Sequence, residues 1–262
     1  MSEISIEIVT NFDKRILKTL ESIRSQTFQD FDVVVATDSP ELKDIVKNYN
    51  AKIVIVEKSG TLYRRIEAHR NSNGRKSLLL EASRYLDKNC LFEINKHKED
   101  MIIVQERDIN DNYIARIQNI ERSLNASKLS AISPESLILE PRVYSKGLLD
   151  HVYKKAELIK LDILKSIQYG DLDIIYYESY QVTYNIGIIN QPIIYHYTDE
   201  NIKELIRKYY SYGKSNKLLK YTPYNGKFNA KNHLRPNYGL KNNIPVYLLW
   251  SIKAISFALG SI

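Results

Sequence analysis

Residues 4–39 read ISIEIVTNFDKRILKTLESIRSQTFQDFDVVVATDS, and this stretch decides the fold. Ile4 to Thr10 alternates and then merges apolar residues, the pattern of a strand. Ile16, Leu17, Leu20 and Ile23 fall on one side of a helix spanning Lys14 to Gln26. Phe31 to Thr37 then carries an unbroken β-branched run, suited to a strand buried on both faces. The same alternation continues. Glu41 to Asn50 reads as a helix with Pro40 at its start, Lys52 to Glu57 as a strand, and Leu62 to Asn71 as a helix. Lys76 to Ala82 and Met101 to Gln105 read as further strands. Strands and helices at this interval predict a mostly parallel, Rossmann-like α/β sheet flanked by helices. Asp162 to Tyr180 is mixed in character, and Ile186 to Tyr197 again reads as extended.

The whole chain has 262 residues, 44% of them hydrophobic, which excludes wholesale disorder. The first thirteen residues lack the basic-then-apolar pattern of a secretory signal, so the fold is expected to begin at once. A single cysteine, Cys90, excludes a disulfide framework and a cysteine-based zinc cluster, and fits a reducing compartment. The net charge of +7 is uneven. From Lys203 onward there are eleven Lys or Arg against one acid, Glu204, while the rest of the chain is slightly acidic. We therefore divide the chain into a body, residues 1–202, and a basic tail, 203–262. Seven tyrosines lie between Tyr209 and Tyr247. A cationic tail calls for an anionic partner: lipid headgroups, phosphorylated substrate or nucleic acid. Its last eighteen residues, Pro245 to Ile262, hold one charge, Lys253. As a helix they would reach about 27 Å, slightly short of a hydrocarbon core of about 30 Å. An interfacial helix, a short span and a helix packed on the body all fit this segment.

Ligands of such sheets bind beyond the carboxyl ends of the strands. Those ends hold Thr10, Phe12 and Asp13, then Asp38, then Glu81 and Ser83. No G-x-G-x-x-G follows the first strand and no P-loop occurs, which argues against dinucleotide dehydrogenases and P-loop NTPases. No G-x-S-x-G elbow occurs, which argues against α/β-hydrolases. The five histidines lack zinc spacing. A nucleotide held without a glycine loop needs an aromatic face, a carboxylate and cations. Phe12, Asp38 and the Arg64/Arg65 pair are of those types.

The opening stretch resembles family 2 glycosyltransferases of the GT-A fold. Ser22, Gln26, Thr27, Phe31 and Asp38 fall in step with that family's run, and Gly60, Arg65 and Gly74 hold the spacing of its next block. The register places Glu81-Ala82-Ser83 on the family's Asp-x-Asp metal motif. Tyr169-Gly170-Asp171 resembles the segment carrying its catalytic base, and Ile193 to His196 the strand that follows. Arg207 to Lys214 resembles the stretch leading into a membrane-associated C-terminus. The likeness is close over residues 1–110, looser over 165–215 and poor over 111–164, so that 1–110 would be the nucleotide-sugar half and 111–202 the acceptor half.

The resemblance implies an inverting transfer of sugar from a nucleoside-diphosphate sugar to a lipid-linked or glycan acceptor. The site would lie at the cytoplasmic, inner face of an anionic membrane. Phe12 would stack on the base beside Thr10, and Asp38 would bond base or ribose. Arg65 would face the diphosphate or orient the acidic motif. Glu81 and Ser83, with His196, would hold donor and divalent cation, Mg²⁺ or Mn²⁺. Asp171 would deprotonate the acceptor, with Asp173 a close rival. Ser83 offers a hydroxyl where a hard cation prefers carboxylate, which weakens or dispenses with the metal. Two other classes stay open. One is a relative that binds nucleotide or glycan without transfer. The other is a nucleic-acid binder using the tyrosine-rich basic tail, which leaves residues 1–110 without a role.

Overall fold

A computed structural model of the chain describes residues 2–11, 13–109, 112–126, 133–134, 140–198, 201–227 and 240–262. The opening strand β1 (Ile4–Thr10) is buried along its whole length. It pairs in parallel with β2 (Phe31–Thr37) on one side and β4 (Lys76–Glu81) on the other, and β3 (Lys52–Ile55) pairs in parallel with β2. Helix α1 (Ile16–Arg24) makes the first crossover and buries Ile16, Leu20 and Ile23. Alternation along β4 shows why its centre is apolar on both faces: Leu78 and Leu80 join one core and Leu79 the other. Each buried aliphatic side chain contributes roughly 1.5–3 kcal/mol.

Beyond β4 the sheet becomes mixed. β7 (Pro141–Ser145) runs antiparallel to β4 and to β6 (Met101–Asp108). β8 (Ile186–His196) runs parallel to β6, and short β5 (Arg84–Leu86) closes the edge antiparallel to β8. The eight strands lie in the order β3-β2-β1-β4-β7-β6-β8-β5. Helices α2 (Lys43–Lys47), α3 (Thr61–Arg70), α4 (Cys90–Lys96), α5 (Tyr113–Ala126), α6 (Lys146–Ala156), α7 (Leu161–Leu164) and α8 (Asp171–Tyr180) complete the body. The expected helix over 41–50 shrinks to α2 behind a single 3₁₀ turn at Pro40–Leu42. β5, α4 and β7 are not among the elements expected from periodicity. β7 contains Pro141 and Arg142 within five residues, too short and too polar to show as an apolar run.

The basic tail forms two helices, α9 (Ile202–Leu218) and α10 (Leu240–Ser261), packed against each other, with α10 also touching α5. Their axes approach closely at two glycines. A methyl group at Gly213 would collide with the Phe257 carbonyl, and one at Gly260 with the Tyr210 carbonyl. α10 turns Val246, Leu249, Lys253 and Ser256 inward. Lys253, the one charge of its last eighteen residues, meets Glu121 of α5 at 3.0 Å and lies over the Tyr209 ring. Its outer face leaves Ile244, Leu248, Ile255 and Leu259 mostly exposed. The packed reading of this segment thus describes one face of the helix, and an unpartnered apolar stripe runs along the other. Residues 244–261 form a helix long and apolar enough, by composition, to cross a membrane.

Candidate active site

A cavity of about 720 Å³ opens where β1 and β4 end, bounded also by the start of α8, the end of β8 and one side of α9. Strand ends lose sheet partners there, so side chains must satisfy the backbone. Arg64 of α3 does this for β1. Its Nη1 donates to the Thr10 carbonyl at 2.8 Å, bonds Asn11, and lies 3.5 Å from Asp38 at the end of β2. Its Nη2 donates to Gln168 at 3.3 Å. Burial pulls the Arg64 guanidinium below its ordinary value, Asp38 opposing, and its Nε has no partner among the described residues.

Behind the cavity lies a lattice of alternating charges. Arg65, fully buried, donates from Nε to Asp171 at 2.5 Å and from Nη2 to Glu81. Glu81 also accepts from Arg84 and, at 3.3 Å, from Arg142. Arg84 and Arg142 both reach Glu106, at 2.9 and 2.7 Å. Arg122 continues from Glu106 at 3.1 Å to Asp108 at 2.8 Å, and Asp108 ends the row on His196 Nδ1 at 2.8 Å. Burial opposes the charge on Glu81, but Arg84, Arg142 and Arg65 hold its carboxyl down at about 2. Glu106 is likewise held well below the carboxylate range, by Arg142, Arg84 and Arg122 against burial. His196 goes the other way. Burial and the nearby Arg84 press it down to about 4 despite Asp108, so it is neutral at pH 7 with its Nδ1 proton directed at Asp108.

The first turn of α8 contributes three groups. Gly170 takes a left-handed φ of 81°, which favours glycine, and turns the chain into the helix. Asp171 and Asp173 follow, each under a tenth exposed. Asp173 shares a hydrogen bond with Glu140, the residue leading into β7. Burial, the charge of Glu140 and that bond push the Asp173 carboxyl well above the usual range. One wall is aromatic: Tyr169 stacks on Tyr212 of α9 with centroids 4.4 Å apart, and Phe257 of α10 meets Tyr169 edge-on. Lys208 of α9 lines the same side.

Thr10, Glu81, Ser83, Asp171 and His196 therefore all face this one cavity, as does Asp173. Phe12 lies outside the described residues. Asp38 stands at its rim through Arg64 and is not part of the lining. Of the two roles the resemblance leaves to Arg65, its burial fits orienting the acidic motif, not facing a diphosphate. Two of the three residues expected to hold a divalent cation have other partners. Glu81 already gives both carboxylate oxygens to arginines, and His196 is tied to Asp108. No three His, Cys, Asp or Glu among the described residues are placed to hold an ion. Glu81, Ser83 and His196 do not fit a firmly bound divalent cation, because a hard cation would have to displace guanidinium groups from Glu81. Sequence reasoning missed Arg84, Arg122, Arg142, Glu106 and Glu140. Of these, Arg84 alone carries a local signal, standing three residues after Glu81.

The sheet order, its antiparallel insertion after β4 and the cavity at the strand ends make this a GT-A glycosyltransferase fold. Among solved structures, the chain is similar to S. aureus TarS. It matches one TarS structure at 16% identity and TM-score 0.53, over 86% of this chain and 45% of that one. It matches TarS 1–349 in complex with UDP-GlcNAc at 15% identity and TM-score 0.54, over 97% and 81% of the two chains. The complex with UDP gives 14% and 0.54, over 99% and 89%. The chain thus spans less than half of the longer TarS structure. No family model matches the sequence, and no curated protein matches it significantly.

Proposed function

We propose that this protein is an inverting glycosyltransferase. It takes a sugar from a nucleoside-diphosphate sugar, with UDP-GlcNAc the first donor to test because TarS was crystallised with it. The observation that carries the reading is the cavity at the ends of β1 and β4, where cations and carboxylates converge on a GT-A sheet. Lys14, Arg15, Arg64 and Lys208 line it and supply positive charge for a departing diphosphate. A carboxylate in the first turn of α8 receives the acceptor proton. Charge neutralisation by arginine and lysine makes a divalent cation dispensable here. The Tyr169–Tyr212 wall suits a sugar ring, and the exposed stripe of α10 with the cations of α9 holds the cavity beside anionic lipid at the cytoplasmic face. The acceptor is then a lipid-linked or glycan hydroxyl.

The test is thermal stabilisation by a panel of nucleotide-sugars, each with Mn²⁺ and with EDTA, followed by donor consumption. Stabilisation and turnover that persist in EDTA are expected. Stabilisation without turnover supports the non-transferring relative, which the arginine-saturated Glu81 would also suit. Absence of both overturns the reading.

A further inference from the structure

Glu140, Asp171 and Asp173 all line the cavity, and they are not equivalent. Asp171 is fixed by the buried Arg65 guanidinium, its Oδ2 accepting at 2.5 Å. A carboxylate so engaged must break a short charge-assisted bond before it can take a proton at that oxygen. Asp173, two residues on, lies on the same helical turn and also faces the cavity, but its partner is another acid, Glu140. Asp173 is buried and Glu140 half-buried, and two such carboxyls in hydrogen-bond contact cannot both be charged at low cost, so they hold one proton between them and titrate as a unit. Glu140 comes from the lead-in to β7 and Asp173 from α8, so the pair bridges two independent elements and is built by the fold.

We propose that the Asp173–Glu140 pair, not Asp171, receives the proton of the attacking hydroxyl. This rests on the transferase reading above and names the proton acceptor within it. In the step, the acceptor oxygen bonds the anomeric carbon as the bond from that carbon to the phosphate oxygen breaks. The electron pair leaves on the diphosphate. The acceptor proton passes to the singly protonated pair, which becomes neutral and returns the proton to water once product departs. Asp171 is a positioning residue that anchors Arg65 under the cavity floor. The groups facing the pair are consistent with this. Arg142 draws Glu140 toward its charged form, while Asp171 and Glu106 oppose a second negative charge. Tyr144, Tyr169 and Tyr176 lie within electrostatic reach of it, and the hydroxyls of Tyr144 and Tyr176 have no partner among the described residues.

The experiment couples spectroscopy to kinetics on the full chain. Infrared difference spectra at neutral pH should show a protonated-carboxyl band that shifts or vanishes in Asp173→Asn and in Glu140→Gln but persists in Asp171→Asn. Hydrolysis of the donor identified in the nucleotide-sugar screen, with water as acceptor, gives the kinetic arm. Asp173→Asn should lower kcat by about 100-fold or more with the donor KM little changed. Glu140→Gln should move the acid limb of the kcat profile to lower pH, because it removes the charge that raises Asp173. Asp171→Asn should weaken donor binding or rate while keeping that limb. An acid limb lost only in Asp171→Asn, or wild-type turnover in Asp173→Asn, overturns the assignment. Failure of the wild-type chain to consume any nucleotide-sugar instead overturns the transferase reading on which it rests.

Discussion

Nε of Arg65 on α3 donates to Oδ2 of Asp171 on α8 at 2.5 Å, and the same guanidinium bonds Glu81 at the end of β4. One fully buried cation thereby ties the end of β4 to the first turn of α8. Removing one member of a buried pair leaves charge without a partner, at roughly 3–5 kcal/mol. Arg65→Met should lower the free energy of unfolding by that amount, read from urea denaturation. Asp171→Asn keeps a hydrogen-bond acceptor and leaves Arg65 its bond to Glu81, so it should cost about 1–3 kcal/mol.

Glu81 predicts an acid-dependent stability. Its carboxyl is held at about 2 in the folded protein, below its ordinary 4.5, by Arg84, Arg142 and Arg65 against the opposing effect of burial. A depressed carboxyl stabilises the fold above its ordinary value and loses that contribution as pH falls toward the folded one. Wild-type melting temperature should therefore decline between about pH 4.5 and 2. Glu81→Gln should start lower and decline less over that window. A parallel decline in both proteins would show that the arginines do not act through Glu81.

How much of this is legible in the sequence follows from which interactions are local. The α1 crossover is written in Ile16, Leu20 and Ile23, and β2 in Val33 to Ala36, because spacing alone decides which face is buried. Glu81 and Asp171 enter the site by register with a family. The ring around Glu81 is not legible. Arg142 lies 61 residues away and reaches it only because β7 inserts antiparallel beside β4, a pairing that no local pattern announces. Arg122 and Glu140 fall in residues 111–164, where the resemblance is poor, and Asp173 becomes distinguishable from Asp171 only once their partners are known. A neutral Ser83 in the motif hints at weak cation binding, but only the fold shows that both Glu81 carboxylate oxygens accept from guanidinium groups.

A second buried group titrates nearer neutrality. His69 of α3 lies between Glu7 of β1, at 2.9 Å, and Asp150 of α6, at 3.1 Å. Burial opposes its charge, but the bond to Glu7, the charge of Glu7 and the bond to Asp150 outweigh it, so its pKa rises above 6.5. A raised histidine stabilises the fold fully below its ordinary value and loses that stabilisation as pH climbs through the folded one. Wild-type stability should fall as pH rises from about 6.5. His69→Gln should be less stable at pH 6, by about 1–3 kcal/mol for the charge-assisted bonds it gives up, and nearly flat over the same range. Urea denaturation of both proteins across that range is the measurement, and equal slopes would remove His69 as the titrating group.

The tail offers the sharpest separation of folding from surface binding. α10 buries Val246, Leu249 and Lys253 against α9 and α5, while Leu248, Ile255 and Leu259 stay mostly exposed on its other side. Substitutions on the outer stripe remove no internal contact of consequence, whereas Lys253→Met leaves Glu121 without its 3.0 Å partner. Leu248→Asp with Leu259→Asp should keep the melting temperature within about 2 °C, since surface changes shift stability by about 0.5 kcal/mol or less. Sedimentation with vesicles rich in anionic lipid should nevertheless drop at least tenfold, because each leucine withdrawn from lipid forfeits roughly 1.5–3 kcal/mol. Lys253→Met should do the reverse, lowering the melting temperature while vesicle binding by the folded fraction persists. If the double aspartate variant still sediments like the wild type, the apolar stripe is not the membrane contact, and the cations of α9 would have to act alone, which raising the salt concentration would then abolish.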